Sequence, residues 1–265
     1  MRVRRIICRV LLSLLVGAVL VAGLLYGLAD RTPADYREAL QRVTRLTELN
    51  ELAERDNREG PRRKFLELYG DFSKYGGAGE PFEFFITSDE VNMCLVSMDR
   101  IASLQSAKPV HATAKLEQAG FSDPMVAMDD GVLTLMVWSI EYGKVISADL
   151  SFIFDERGDM RLEILAIRIG VLPVPKSLLE GRIGQLREKL QNLLGRTGDN
   201  GNNLSSVAPT RDVARLLRAV ASMLDGQAVR PKVPWRDLGA KHPLMITNVV
   251  ITDGAMTLHF KPTSD

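Results

Sequence analysis

The chain has 265 residues, enough for one large domain or two small ones. Its 46% hydrophobic and 25% charged residues are ordinary for a globular protein. The formal net charge is only +1, so no overall field recruits nucleic acid, and we expect no nucleic-acid partner.

Residues 10–28 are the first predicted element, a single membrane span. They carry no charge, and a helix rising about 1.5 Å per residue would extend roughly 28 Å, enough to cross a hydrocarbon core. Arginines are concentrated in the preceding segment 1–9, and such flanks stay on the inner side. The sequence therefore predicts a single-pass protein of the cytoplasmic membrane, with residues 1–29 as basic flank and anchor and the rest outside.

A cleaved signal peptide is the alternative, since Gly27, Leu28 and Ala29 place small residues near a cleavage position. The apolar run exceeds the usual h-region of about 7–15 residues, which favours an uncleaved anchor. Cys8 precedes the run, so it is not placed as a lipoprotein cysteine.

Residues 30–80 are predicted to form a helical, membrane-proximal segment that ends in a glycine-rich loop. Apolar residues recur every three or four positions from Tyr36 to Ala53 and share one helix face. We favour a helix 36–53 that lies across the domain's own sheet, because the repeat lasts only about three heptads. The alternative is a stalk or dimerising helix. The loop has no lysine after its last glycine, so it is not a phosphate loop.

An extracytoplasmic α+β domain is predicted for residues 81–265. It opens with a strand at 82–86, followed by Thr87 and Glu90 at the spacing of a capping box that starts a helix. Cys94 lies on the apolar face of this helix and is interpreted as a small buried hydrophobe.

The segment 130–175 organises this domain and is predicted to contain three consecutive antiparallel strands and a rigid apolar strap. Residues suited to tight turns separate the strands: Asp130-Gly131, Gly143 and residues 155–158. The strap at 170–175 contains two prolines, which hold it extended at the sheet edge. The preceding segment, 107–121, is interpreted as a weak strand or irregular link.

The alternation of apolar and polar residues assigns side chains to the two faces of each predicted strand. Both faces of the strand 132–142 are apolar over its first half, which predicts a sheet covered on both sides there. In the next strand, 144–154, one face is apolar and the other carries Ser147, Asp149 and Ser151. That polar face is predicted to be exposed.

After the strap, residues 177–194 carry the stripe of an amphipathic helix. Residues 195–209 have the composition of a flexible loop.

A second hairpin is predicted at 244–261, because Asp253-Gly254 and the residues after it echo Asp130-Gly131. Hairpin chemistry alone also produces such an echo, so no duplication is inferred. The fold prediction is α+β: one antiparallel sheet of about five to seven strands, amphipathic helices packed on it, and one N-terminal transmembrane helix.

The order of motifs between residues 82 and 194 carries a resemblance. After the single span, residues 86–92 open a helix, Asp130-Gly131 forms a hairpin, and residues 169–175 form the strap. This order resembles the YpmS-type family of uncharacterised single-span bacterial membrane proteins. The resemblance implies an anchored extracytoplasmic domain and supplies no activity or catalytic residues. The pattern is also similar to domains of the tubular lipid-binding type, by fold analogy only.

Two non-enzymatic functions fit these features. The first is binding of lipid or another hydrophobic ligand in the cell envelope, with Trp138, Tyr142, Leu172 and Pro173 as candidate contacts. Ordinary core packing is the alternative for each of these residues. The second is a structural or assembly role, in which a sheet edge or the helix 36–53 binds another envelope protein.

Catalysis is not indicated by any motif. The sequence contains no Gly-x-Ser-x-Gly elbow, His-Glu-x-x-His helix, Cys-x-x-Cys pair or Gly-x-Gly-x-x-Gly loop. Cys8 and Cys94 are not expected to pair, because Cys8 would lie at the membrane. The histidines share no motif spacing. We predict no catalytic residue, metal or cofactor, although acids distant in sequence can still converge in a fold.

Overall fold

A computed structural model of the chain describes a discontinuous set of residues: 25, 27–55, 70, 74, 80–97, 99, 112–175, 222, 227–233 and 244–263. Most of the predicted span 10–28 lies outside this set, as do the predicted helix 177–194 and loop 195–209. Among the described residues, no helix is long and apolar enough to cross a membrane.

The described residues form an α+β fold with antiparallel strands, which confirms the predicted fold class. The helices are α1 (Ala34–Arg55), α2 (Ser88–Val96) and α3 (Ala112–Gln118). Helix α3 falls where a weak strand or irregular link was predicted, so that prediction was wrong. Its sequence, ATAKLEQ, is rich in residues with high helix propensity.

The strands form two sheets, so the prediction of one sheet was wrong. The five-stranded sheet has the order β2-β3-β4-β5-β6 and contains β2 (Phe121–Asp129), β3 (Val132–Ser139), β4 (Lys144–Phe154), β5 (Met160–Ile169) and β6 (Leu172–Pro173). The four-stranded sheet has the order β1-β9-β8-β7 and contains β1 (Phe82–Thr87), β7 (Lys232–Val233), β8 (Leu244–Thr252) and β9 (Ala255–Pro262). The two predicted hairpins therefore belong to different sheets.

Helix α1 covers one face of the five-stranded sheet. Tyr36, Ala39 and Val43 are spaced three and four residues apart, and all three are buried. Their core is completed by one residue from each of the three strands below: Met125, Met136 and Val145. The helix thus lies across the chain's own sheet, and its apolar face from Tyr36 to Val43 is already occupied.

The polar face of β4 lies under α1. Ser147 and Asp149 are buried, so the prediction that they face solvent was wrong. Asp149 is satisfied locally: its Oδ1 accepts from Thr134 Oγ1 at 3.0 Å and from Arg168 Nη1 at 3.0 Å, and Arg168 Nη2 pairs with its Oδ2. A carboxylate can be buried when it is paired and hydrogen-bonded in this way. Ser151, further along β4, is half-buried.

Helix α2 begins at the predicted capping box. The Thr87 side chain accepts the Glu90 N–H at 3.2 Å, and Glu90 Oε2 accepts the Thr87 N–H at 2.9 Å. The capping-box prediction is therefore confirmed.

The two sheets meet at their hairpin tips. The Gly131 N–H donates to the Ile251 carbonyl at 3.0 Å, and the Gly254 N–H donates to the Met128 carbonyl at 2.9 Å. Each glycine follows the aspartate of its own tip, so the two bonds are equivalent. The Asp-Gly echo marks a reciprocal contact between the sheets.

Candidate functional site

The five-stranded sheet has a second face, opposite α1, lined by apolar side chains. Directly opposed residues on neighbouring strands share a face, and so do residues two positions apart. One such row crosses β3 to β6 and consists of Val137, Ile146, Ile169 and Leu172. The adjacent row consists of Leu135, Ala148 and Ile167. We call these seven residues the open apolar face.

Leu135 is the most exposed of the large apolar side chains on this side of the sheet. Nearest the tips lies a core to which both sheets contribute side chains. Leu133 and Phe152 pack against this core, and Leu150 is buried. One row further, Leu135 is 43% exposed. The other six residues of the open apolar face are half-buried. The second sheet therefore covers the tip end of this face and leaves Leu135 open to solvent.

A β-bulge bends the sheet beside this face. Asp149 pairs with Ala166 and Leu150 pairs with Ile164, so Leu165 of β5 has no opposite residue. A bulge of this kind bends the strand and increases its twist. The open apolar face is consequently curved.

The structure does not bring the four predicted contact residues together. Leu172 belongs to the open apolar face, but Pro173 is paired with Arg168 and therefore lies on the α1 side. Trp138 also lies on the α1 side, where it packs against the core under that helix. Tyr142 is exposed in the turn between β3 and β4.

Of the seven residues of the open apolar face, only Leu172 was identified from the sequence as a candidate contact. Alternation placed Leu135 and Val137 on one face of β3, and Ile146 and Ala148 on one face of β4. It also predicted a sheet covered on both sides. The second hairpin covers only the end of this face that is nearest the hairpin tips. Its position decides which residues stay exposed, and strand patterns alone do not specify that position.

Two observations on the described residues concern polar and titratable groups near the sheet. The described residues contain no group of three or more His, Cys, Asp or Glu residues that could hold a metal ion. Burial, reinforced by the nearby charge of Glu90, raises the pKa of the Cys94 thiol. A raised pKa keeps the thiol protonated at neutral pH, which suits a buried hydrophobe better than a nucleophile. All seven residues of the open apolar face are apolar, so this surface offers apolar contact.

Comparison of the chain with protein-family models, with curated proteins and with solved structures gave no match. The class of protein is therefore described from its fold and candidate site alone. It is an α+β protein in which one face of the five-stranded sheet lies under a helix and the other face is apolar and partly open.

Proposed function

We propose that this protein is anchored in the cytoplasmic membrane and binds acyl chains of lipid on the open apolar face, outside the cytoplasm. The observation that carries the proposal is the continuous apolar surface formed by two adjacent rows, with Leu135 exposed on β3, where these rows begin. An apolar patch of this kind marks a binding surface more often than scattered single residues do.

The anchor is part of the proposal. It consists of residues 10–28, with the arginine-rich segment 1–9 in the cytoplasm. Residues 27–30, at the end of the proposed span and just after it, have helical backbone conformation and are followed closely by α1. The resemblance to the YpmS-type family supports the same topology.

The test is lipid retention by the full-length protein purified in mild detergent. Native mass spectrometry and solvent extraction should reveal bound acyl lipid in the wild type. Leu135→Asp should lose it, because a carboxylate on this face must stay hydrated.

Val250→Asp is the matched control, since Val250 of β8 is 40% exposed on the outer side of the other sheet. This variant should retain the lipid. An empty wild-type protein, or equal lipid in the Leu135 and Val250 variants, contradicts the proposal.

A second candidate is an assembly role through the edge strand β1. Within the described part of the chain, β1 pairs only with β9, and its Phe85 is 62% exposed. Edge strands are templates for pairing with another chain. A photo-crosslinking residue in place of Phe85 should then capture one dominant envelope protein in cells, whereas the same residue in place of Leu165, which is 42% exposed on the five-stranded sheet, should not. Equal or absent capture at the two positions counts against this role.

A further inference from the structure

One end of the five-stranded sheet gathers exposed apolar side chains. The turn between β3 and β4 carries Ile140 and Tyr142, and the turn between β5 and β6 carries Val171. These side chains are 51%, 50% and 39% exposed, and Leu25, at the end of the proposed span, is 42% exposed. We call these four residues the apolar rim.

The chain leaving the proposed span is fixed to this same end of the sheet. The Val171 N–H donates to the Leu28 carbonyl at 3.4 Å, and Lys144 Nζ pairs with Asp30 Oδ1 at 2.8 Å. Gly170 has φ +60°, and a Cβ there would clash with the Ala29 carbonyl oxygen. The absence of a side chain at Gly170 therefore allows the segment 28–31 to lie directly against the turn.

These contacts determine where the apolar rim lies relative to the bilayer. If the span ends at residue 28, a turn that contacts residues 28–30 lies at the level of the lipid headgroups. Tyrosine is enriched at that level because its ring is apolar and its hydroxyl is polar. The exposed Arg31 follows immediately and can face lipid phosphates.

The opposite end of the sheet has different chemistry. Its two turns are rich in acidic residues: Asp129, Asp130, Asp155, Glu156 and Asp159. An anionic membrane surface repels such an end. The rim end also carries two carboxylates, Glu141 and Asp30. Lys144 and Arg31 balance them, so the two ends differ in net charge as well as in apolar exposure.

We propose that the apolar rim is inserted into the headgroup layer of the bilayer that holds the anchor. The partner of this surface is the lipid bilayer itself. Strands β3, β4 and β5 then run away from the membrane, and the row Val137–Ile146–Ile169–Leu172 is the part of the open apolar face nearest to it. An acyl chain leaving the bilayer would meet that row first. This inference rests on the anchor in the proposed function.

The experiment uses the full-length chain in phosphatidylcholine–phosphatidylglycerol vesicles. Cys8→Ser and Cys94→Ala remove the native thiols, and Val171→Cys carries a bimane label. Val250→Cys is the matched control, because its parent side chain is 40% exposed and lies on the other sheet. Lipids with a nitroxide near the headgroup should quench the label at 171 and not the label at 250. Ile140→Cys provides an independent second probe of the rim.

Alkaline extraction of the same vesicles separates the two proposals. A chain retained in the vesicles, with loss of fluorescence at 171 and 140 only, supports the rim. A retained chain with labels quenched no more than at 250 overturns the rim and leaves the anchor standing. Release of the chain by alkali overturns the anchor, and the rim inference falls with it.

Discussion

Asn92 closes the outer edge of the five-stranded sheet. It lies in α2 and is almost fully buried, with its Nδ2 donating to the Val126 carbonyl at 2.9 Å and its Oδ1 accepting the Val126 N–H at 2.6 Å. Strand β2 is the first strand of that sheet, so its outward backbone groups would otherwise lack a strand partner. One side-chain amide here takes the place of a neighbouring strand.

Asn92→Ala should therefore destabilise the fold by about 3 kcal/mol, because both backbone groups of Val126 lose their partner in a buried place. Chemical denaturation of the purified protein measures this change in the free energy of unfolding. Asn248→Ala is the matched control, since Asn248 is exposed in β8, and it should change stability by less than about 0.5 kcal/mol. Similar losses in the two variants would show that the bonds to Val126 contribute little.

Tyr36 fastens the beginning of α1 to the sheet. Its hydroxyl donates to the Asp123 carbonyl at 3.1 Å, and the ring is buried against the sheet. Burial, followed by the charge of Asp123, raises the pKa of Tyr36 to about 12. The folded chain therefore resists ionisation of this phenol more strongly than the unfolded chain, where its pKa is about 10.

The raised pKa of Tyr36 predicts a specific loss of stability in alkali. Its contribution is complete below about pH 10 and is lost as the pH rises from about 10 to about 12, because only the unfolded state then ionises readily. Tyr36→Phe should cost about 1 kcal/mol at pH 7 and show a flatter decline across this window. Urea unfolding at several pH values measures both effects. Parallel curves for wild type and variant up to pH 12 would contradict the assignment.

At the scale of the element, the connection between α1 and the proposed anchor depends on Gly170, and Gly143 offers a comparison with the same backbone φ. Gly143 and Gly170 both have φ +60°, but nothing lies within 4 Å of a Cβ at Gly143. A Cβ at Gly170 would lie 2.7 Å from the Arg31 carbonyl oxygen and even closer to that of Ala29. The two positions therefore separate the strain of a left-handed backbone from the loss of a close approach.

Gly143→Ala should cost about 1–2 kcal/mol, the strain of a left-handed residue with a side chain. Gly170→Ala should add displacement of the segment 28–31 and expose the bond after Arg31 to trypsin. Limited proteolysis of the full-length protein in detergent, followed by mass spectrometry, detects that cleavage. Equal cleavage in the two alanine variants would mean that the segment is not held by the close approach at Gly170.

Local signals in the sequence predicted the elements well. Thr87 and Glu90 identified the start of α2, because a capping box is completed within four residues. The Asp-Gly pairs identified both hairpins, since the tight turn is a property of the pair itself. The stripe from Tyr36 identified α1 and the face it buries.

Features that depend on partners distant in the sequence were not predicted. Ser147 and Asp149 are polar and were assigned to solvent, whereas Arg168 and Thr134, on neighbouring strands, allow Asp149 to be buried. Asn92 gave no local indication of its bonds to β2. The open apolar face was missed for the same reason, because its exposure depends on where the second hairpin packs.

At the scale of the whole molecule, the two sheets are related by an approximate internal symmetry at their tips. The reciprocal bonds of Gly131 and Gly254 lie beside a core to which each hairpin contributes three residues. Each member from the first hairpin has a counterpart at the same position of the second: Val126 with Val249, Met128 with Ile251, and Leu133 with Met256. The core belongs to neither sheet alone, so we expect the sheets to unfold together.

Ile251→Ala tests this coupling, because Ile251 is buried in the four-stranded sheet and contributes to the shared core. The variant should lose about 2–4 kcal/mol, within the range for such truncations. Amide hydrogen exchange should accelerate by the same factor at Gly131 and at Gly254, although only Gly254 is in the mutated hairpin. Val250→Ala, the exposed neighbour, should change neither rate. Acceleration confined to Gly254 would show that the sheets open independently, and the reciprocal bonds would then be a contact between two units rather than the centre of one.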